Sequence, residues 1–166
     1  MTQTLIYRAP EPSRASRDVA RRSKASLRGS LIAKLPAFDR PRVIQFESML
    51  EYRFLCLMLV RADVHDILEQ PPEIQYRRAD GSPASHVFDF LVTLTGGERI
   101  AVAIKPAERV VRRDFVTELG HVAAAMPKHF AQRIKLVTED QLDRRAAAEA
   151  ARQVMRTRPA LTEVAA

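Results

Sequence analysis

Three polar side chains occupy positions where the sequence calls for apolar ones. Glu51 falls on the apolar stripe of a helix over about 46–60, Asp89 on a half-apolar strand over 86–94, and Lys105 at the end of a strand over 99–105. A buried charge without a partner is costly, so such residues persist where they are paired or used. Two carboxylates and a lysine are the set that phosphodiester hydrolysis requires. Carboxylates hold one or two Mg²⁺ ions, which stabilise negative charge and help to form hydroxide, and a neighbouring lysine orients the water or neutralises the pentavalent phosphate.

These residues depend on elements that the local pattern predicts. Stepping about 100° per residue from Glu47, the residues Leu50, Phe54, Leu57 and Met58 fall in one arc together with Glu47 and Glu51. A first-turn position, favoured by the helix dipole, is the other reading of these acids and suits Glu47 better than Glu51. After a connection over 62–69, "QPPEIQYRR" predicts a strand over 73–77, and Asp80-Gly81 a turn. "HVFDFLVTL" alternates strictly, with Asp89 on the face of Val87 and Leu91. Gly96-Gly97 reads as a hairpin turn into "RIAVAIK", not as a phosphate loop. A helix over 112–126, a strand over 133–137 and a final helix over 139–156, opened by a Thr138/Gln141 capping box, complete the order α, β, β, β, α, β, α. That order predicts an α/β fold, a mixed sheet with helices on its faces.

The chain has 166 residues and a net charge of +7, which favours polyanionic partners. Residues 1–42 concentrate that charge in Arg14, Arg17, Arg21, Arg22, Lys24 and Arg28, among others, with prolines and no sustained period. They read as a flexible basic arm, with a short helix around Arg14–Lys24, and as a candidate contact for double-stranded DNA. Arg112 and Arg113 follow the Lys105 strand as further DNA candidates or as a solvated cluster. No apolar run reaches the roughly 18 residues that span a bilayer, so no membrane association is expected. With no apolar signal core at the N-terminus, a cytoplasmic location is expected. The single cysteine, Cys56, excludes an internal disulfide. The four histidines show no metal-ligand spacing. His86, three residues ahead of Asp89, is close enough to approach a phosphate, although packing is the simpler role.

Four stretches, "FESMLEYRFL", "LEQPPEIQY", "HVFDFLVTLTGGERIAVAIKPAERV" and "KLVTEDQL", together resemble the N-terminal catalytic domain of TnsA-type transposon endonucleases. That domain is of the restriction-endonuclease-like, PD-(D/E)XK superfamily. The likeness runs from about Pro41 to Leu142. It implies a restriction-endonuclease-like mixed β-sheet flanked by helices, here behind a basic N-terminal arm. Residues 1–42 would be the arm, 43–142 the nuclease domain and 143–166 a C-terminal helix and tail. It further implies a metal-dependent endonuclease using Mg²⁺ (or Mn²⁺) on double-stranded DNA, beside a transposase or another DNA-processing protein.

By the same resemblance Glu51 is the helix acid, with Glu47 the second candidate, and Asp89 is the strand acid. These two would be the metal ligands, with Lys105 completing the catalytic set. The family's (E/Q)-x-K tripeptide falls on Ala103-Ile104-Lys105, and Ala103 cannot ligate a metal. Three readings of Ala103 stand open: a substitution introduced to silence the site, a natural degenerate member that binds DNA without cutting, or a displaced carboxylate such as Glu118. The alternative function is therefore a non-catalytic DNA-binding or assembly protein on a nuclease-like scaffold.

Overall fold

The computed structural model describes residues 8–17 and 27–157. In chain order the elements are β1 (Gly29–Ala33), β2 (Arg42–Phe46), α1 (Met49–Leu59), β3 (Val64–Glu69), β4 (Ile74–Arg77), β5 (Pro83–His86), β6 (Phe90–Leu94), β7 (Arg99–Ile104), α2 (Ala107–Arg112), α3 (Phe115–Ala125), β8 (Arg133–Val137) and α4 (Arg144–Arg156). The central sheet has the order β3-β6-β7-β8, antiparallel except for the parallel β7–β8 pair. β1–β2 and β4–β5 are separate antiparallel ribbons. The result is the mixed α/β architecture expected of a restriction-endonuclease-like fold.

The sheet is buried on both faces. Phe90, Val92, Val102 and Ile104 pack with Phe54 and Leu55 of α1, Ala150 of α4, and Leu31, Ile44 and Phe46 of the first ribbon. Leu91, Ala101 and Ala103 pack on the other side with Phe115, Leu119 and Val122 of α3, and with Ile74 and Tyr76 of β4. The alternation in "RIAVAI" thus separates two cores, with small residues on the α3 side.

Several elements differ from the sequence expectation. Residues 29–46 form the β1–β2 ribbon, although an arm was expected up to residue 42, and Leu31, Ala33, Leu35 and Phe38 enter the core. Pro36 and Pro41, which argue against regular structure, lie in the connection between these two strands. Arg42 is buried there rather than solvated: its guanidinium stacks 3.7 Å from the Phe38 ring centroid and donates to the Ile67 carbonyl. Residues 64–69, expected as a connection, are the edge strand β3. A register shift between Val64 and Asp66 interrupts the alternation that would have marked it.

The continuous alternation of 86–94 is divided into β5 and β6, and Val87–Asp89 lie outside both. Phe88 therefore joins the second core, opposite to Phe90. The strand at 74–77 pairs with β5 in its own ribbon, not with the central sheet, and Gly81 (φ +81°) closes the turn. The helix expected over 112–126 is broken at Asp114, which adopts the left-handed conformation (φ +46°) between α2 and α3. The Thr138/Gln141 capping box is present, but it opens a short 3-10 turn, and α4 begins separately behind an Asp143 cap. Of the short helix expected around 14–24, residues 14–17 are non-helical and the rest lie outside the described residues. No helix among the described residues is long and apolar enough to cross a membrane.

Candidate active site: a carboxylate pair beside a lysine

Asp89 stands just before β6 at one end of the central sheet. Its N–H donates to the Val102 carbonyl (2.9 Å), and its own carbonyl accepts from Gln70 N–H (3.0 Å). The side chain continues this clamp: Oδ2 accepts from Ile104 N–H at 2.6 Å and from Lys105 Nζ at 3.2 Å. The carboxylate thereby satisfies the last amide of β7 and pairs the lysine that follows it. Lys105 is held from behind as well, because its N–H donates to the Val137 carbonyl (3.0 Å). Its Nζ lies 5.8 Å from the Phe115 ring centroid.

Glu51 reaches the site from the first turn of α1. Ser48 is the N-cap: its Oγ accepts from Glu51 N–H (3.1 Å), and its hydroxyl donates to Glu51 Oε1 (3.0 Å). Glu51 Oε2 accepts from Glu47 N–H at 2.7 Å. Glu51 is only 6% exposed. Burial first, and the negative charge of Asp89 second, push its pKa up to about 7. Glu51, Asp89 and Lys105 are thus brought into one neighbourhood. The other acid, Glu47, is paired instead with Arg17 (2.6 Å) and Arg28 (3.9 Å).

Ala103 is 0% exposed and belongs to the core under α3. It brings no ligand atom to the pair. Both oxygens of Glu51 and one of Asp89 already accept hydrogen bonds. Among the described residues no group of three or more His, Cys, Asp or Glu could hold a metal ion. The side chains present do not make a complete shell for Mg²⁺ or Mn²⁺, which take about six oxygen ligands.

Glu118, the candidate for a displaced carboxylate, is turned to other partners. Its Oε1 accepts from Tyr76 OH at 3.1 Å and lies 3.8 Å from His86 Nδ1. His86 is buried against Phe88 and Phe115. Burial lowers its pKa, and the nearby charge of Lys105 lowers it further.

The basic residues divide into three groups. Arg14 pairs with Asp66 at 2.5 Å, and Arg17 Nε donates to Gln70 Oε1 at 2.8 Å, so both lie against the domain. Arg112 pairs with Glu108 (3.4 Å) on exposed α2, and Arg113 is exposed after it. Arg21, Arg22 and Lys24 lie outside the described residues.

Two supporting residues went unnoticed in the sequence. Ser48 was legible, since "SMLE" is a capping-box pattern ahead of an apolar run. Gln70 has no local signal: its φ of +43° and its grip on Asp89 arise only in the fold.

Among curated proteins the chain has no match. The family described as TnsA-like endonuclease N terminal matches residues 61–157, more than half of the sequence. The match contains Asp89, Ala103, Lys105 and also α4, which the resemblance of the four stretches left out, and it begins after α1 and Glu51. The carboxylate–lysine end of the sheet is therefore that of a nuclease-like scaffold, and the chain belongs to the TnsA-like endonuclease N-terminal family.

Proposed function

We propose that this chain binds double-stranded DNA on a TnsA-like nuclease scaffold, in the cytoplasm and alongside a transposase or other DNA-processing protein, and does not itself cut. The observation that carries this reading is Ala103. The third ligand position of the family's tripeptide holds a methyl group that is 0% exposed and packed in the core. Two carboxylates that share a site and already accept several hydrogen bonds are a poor remainder of a metal centre. The net charge of +7 and the basic residues around Arg17–Arg28 and Arg112–Arg113 support DNA as the partner.

The second reading is a Mg²⁺- or Mn²⁺-dependent endonuclease with Glu51 and Asp89 as ligands and Lys105 at the phosphate. The 3.2 Å Asp89–Lys105 pair beside Glu51 favours it. Gel-shift and plasmid-nicking assays on the same preparation separate the two. Duplex binding without nicking in Mg²⁺ or Mn²⁺ is expected. Nicking that Asp89→Asn abolishes would return the chain to the endonuclease reading, and no duplex binding even at low salt would refute both.

A further inference from the structure

The β4–β5 ribbon stands apart from the central sheet and rests on α3. Ile74 and Tyr76 enter the core under α3, while Gln75 and Arg77 are exposed. At its outer end the ribbon carries Arg77 and Arg78, and the turn holds both through oxygens of its own. Arg77 Nη1 donates to the Gly81 carbonyl (2.9 Å), and Arg78 Nη1 donates to the Pro83 carbonyl (3.2 Å) and to Ser82 Oγ (3.3 Å). Among the described residues neither guanidinium forms an ion pair with a carboxylate. Asp80, the acid of the turn, accepts from Ser82 N–H (2.9 Å). Its hydrogen bonds with Ser82, and to a lesser degree the charge of Arg78, hold its pKa below the usual carboxylate range.

An open groove of about 510 Å³ lies between this ribbon and α3. Gln75, Arg77 and Pro83 line it from the ribbon, and His121, Ala124 and Ala125 line it from α3. No acidic residue is among its lining side chains. The two alanines let a backbone approach α3 closely, and the polar groups opposite suit an extended anion better than an apolar ligand. A nucleic-acid backbone is such an anion, and arginine recognises its phosphates with a planar fork of donors.

The groove also stands at a fixed distance from the carboxylates. The ladder runs three steps from the Arg77–Pro83 pair to the Ile74–His86 pair, about 10 Å at roughly 3.4 Å per residue. His86 to Asp89 is three more residues, which span at most about 10 Å. The tip is therefore within about 20 Å of Asp89, or about half a helical turn of duplex.

We propose that this groove seats the DNA backbone, with Arg77 and Arg78 on phosphates about half a turn of duplex from Asp89. The proposal rests on the DNA-binding reading above and adds the path that the duplex takes across the domain.

The test measures affinity for a short labelled duplex against salt, by fluorescence anisotropy, in four forms of the full chain. These are the parent, Arg77→Ala with Arg78→Ala, Arg77→Lys with Arg78→Lys, and Ala124→Glu. The alanine pair should lower the salt slope by about two units and weaken binding at least about tenfold, because two phosphate contacts are lost. The lysine pair should keep most of the slope, since it keeps the charge. Ala124→Glu leaves both arginines in place and sets a carboxylate on the groove wall, so it should weaken binding about tenfold. All four should unfold at similar urea concentrations, because the altered side chains are exposed. Parent-like affinity and slope in both the alanine pair and Ala124→Glu would overturn the proposed path. The DNA reading would still stand if replacing Arg21, Arg22 and Lys24 lowered the slope. A lysine pair as weak as the alanine pair would assign the arginines to holding the turn and not to phosphate. A parent that binds no duplex even at low salt would remove the DNA reading and this path together.

Discussion

Asp89 and Ile104 are joined by a 2.6 Å hydrogen bond from the Ile104 amide to the Asp89 carboxylate, at the point where β7 runs out of ladder partners from β6. One acid therefore completes a strand and holds the lysine that follows it. The same carboxylate raises the pKa of Glu51 from α1. Structure and candidate chemistry depend on the same atoms here, and the retention of Asp89 and Lys105 is by itself no proof of cleavage.

The elevated pKa of Glu51 sets a pH dependence. Its folded-state value of about 7 lies above the ordinary 4.5, so the folded state binds the proton more tightly than the unfolded state. The stability linked to that proton is fully present below about pH 4.5 and is lost as pH rises through about 7. Glu51→Gln should accordingly be more stable than the unaltered protein at pH 8, by up to about 3 kcal/mol, since a tenfold difference in proton affinity corresponds to about 1.4 kcal/mol. The difference should shrink as pH falls, which urea unfolding at a series of pH values measures. A difference independent of pH would show that Glu51 ionises normally.

Restoring an acid at position 103 tests the site directly. Ala103→Glu should lower stability by about 2–4 kcal/mol, because it places a carboxylate against the core under α3. If the side chain reaches the Asp89–Glu51 pair, Mn²⁺ should recover part of that loss and plasmid nicking should appear. Asp89→Asn in the same protein should remove both effects. Calorimetry with no change in Mn²⁺ affinity, and no nicking, would mean that position 103 is not a missing ligand.

The buried guanidinium of Arg42 has charged partners on β3, Asp66 and Glu69, each 3.8 Å away, and the Glu69 side chain is fully buried. Arg42→Met should cost about 3–5 kcal/mol, because it strands a buried carboxylate. Adding Glu69→Gln should recover a large part of that cost. Equal unfolding midpoints for the single variant and the parent would show that the buried pair contributes no stability.

Among the basic residues of the N-terminal region, only some are available for a simple charge test. Arg14 is committed to Asp66, so Arg14→Gln should change the salt slope of DNA binding by less than one unit. Replacing Arg21, Arg22 and Lys24 together by glutamine should lower it by about 2 units if most of the three touch phosphate. Affinity against salt by fluorescence anisotropy reads both. An unchanged slope in the triple variant would assign those residues to something other than DNA.

Local interactions were legible in the sequence. α1 and β8 were expected close to where they lie, because a capped apolar stripe and a short β-branched run each need only neighbouring residues. The polar positions Glu51, Asp89 and Lys105 stood out for the same reason, as charges set into apolar patterns. The first ribbon, β3 and the break at Val87–Asp89 were decided only by tertiary pairing. β1 is a strand because Arg42–Phe46 lies against it across a proline-bearing loop, and β3 because Phe90–Leu94 accepts its bulged register. The left-handed Asp114 likewise ends an apolar period that would otherwise continue as one helix. Of the two acids on one stripe, the resemblance preferred Glu51, but the physical difference between them arises only in the fold. Glu51 is buried where the negative charge of Asp89 acts on it, whereas Glu47 pairs with two arginines from the N-terminal region.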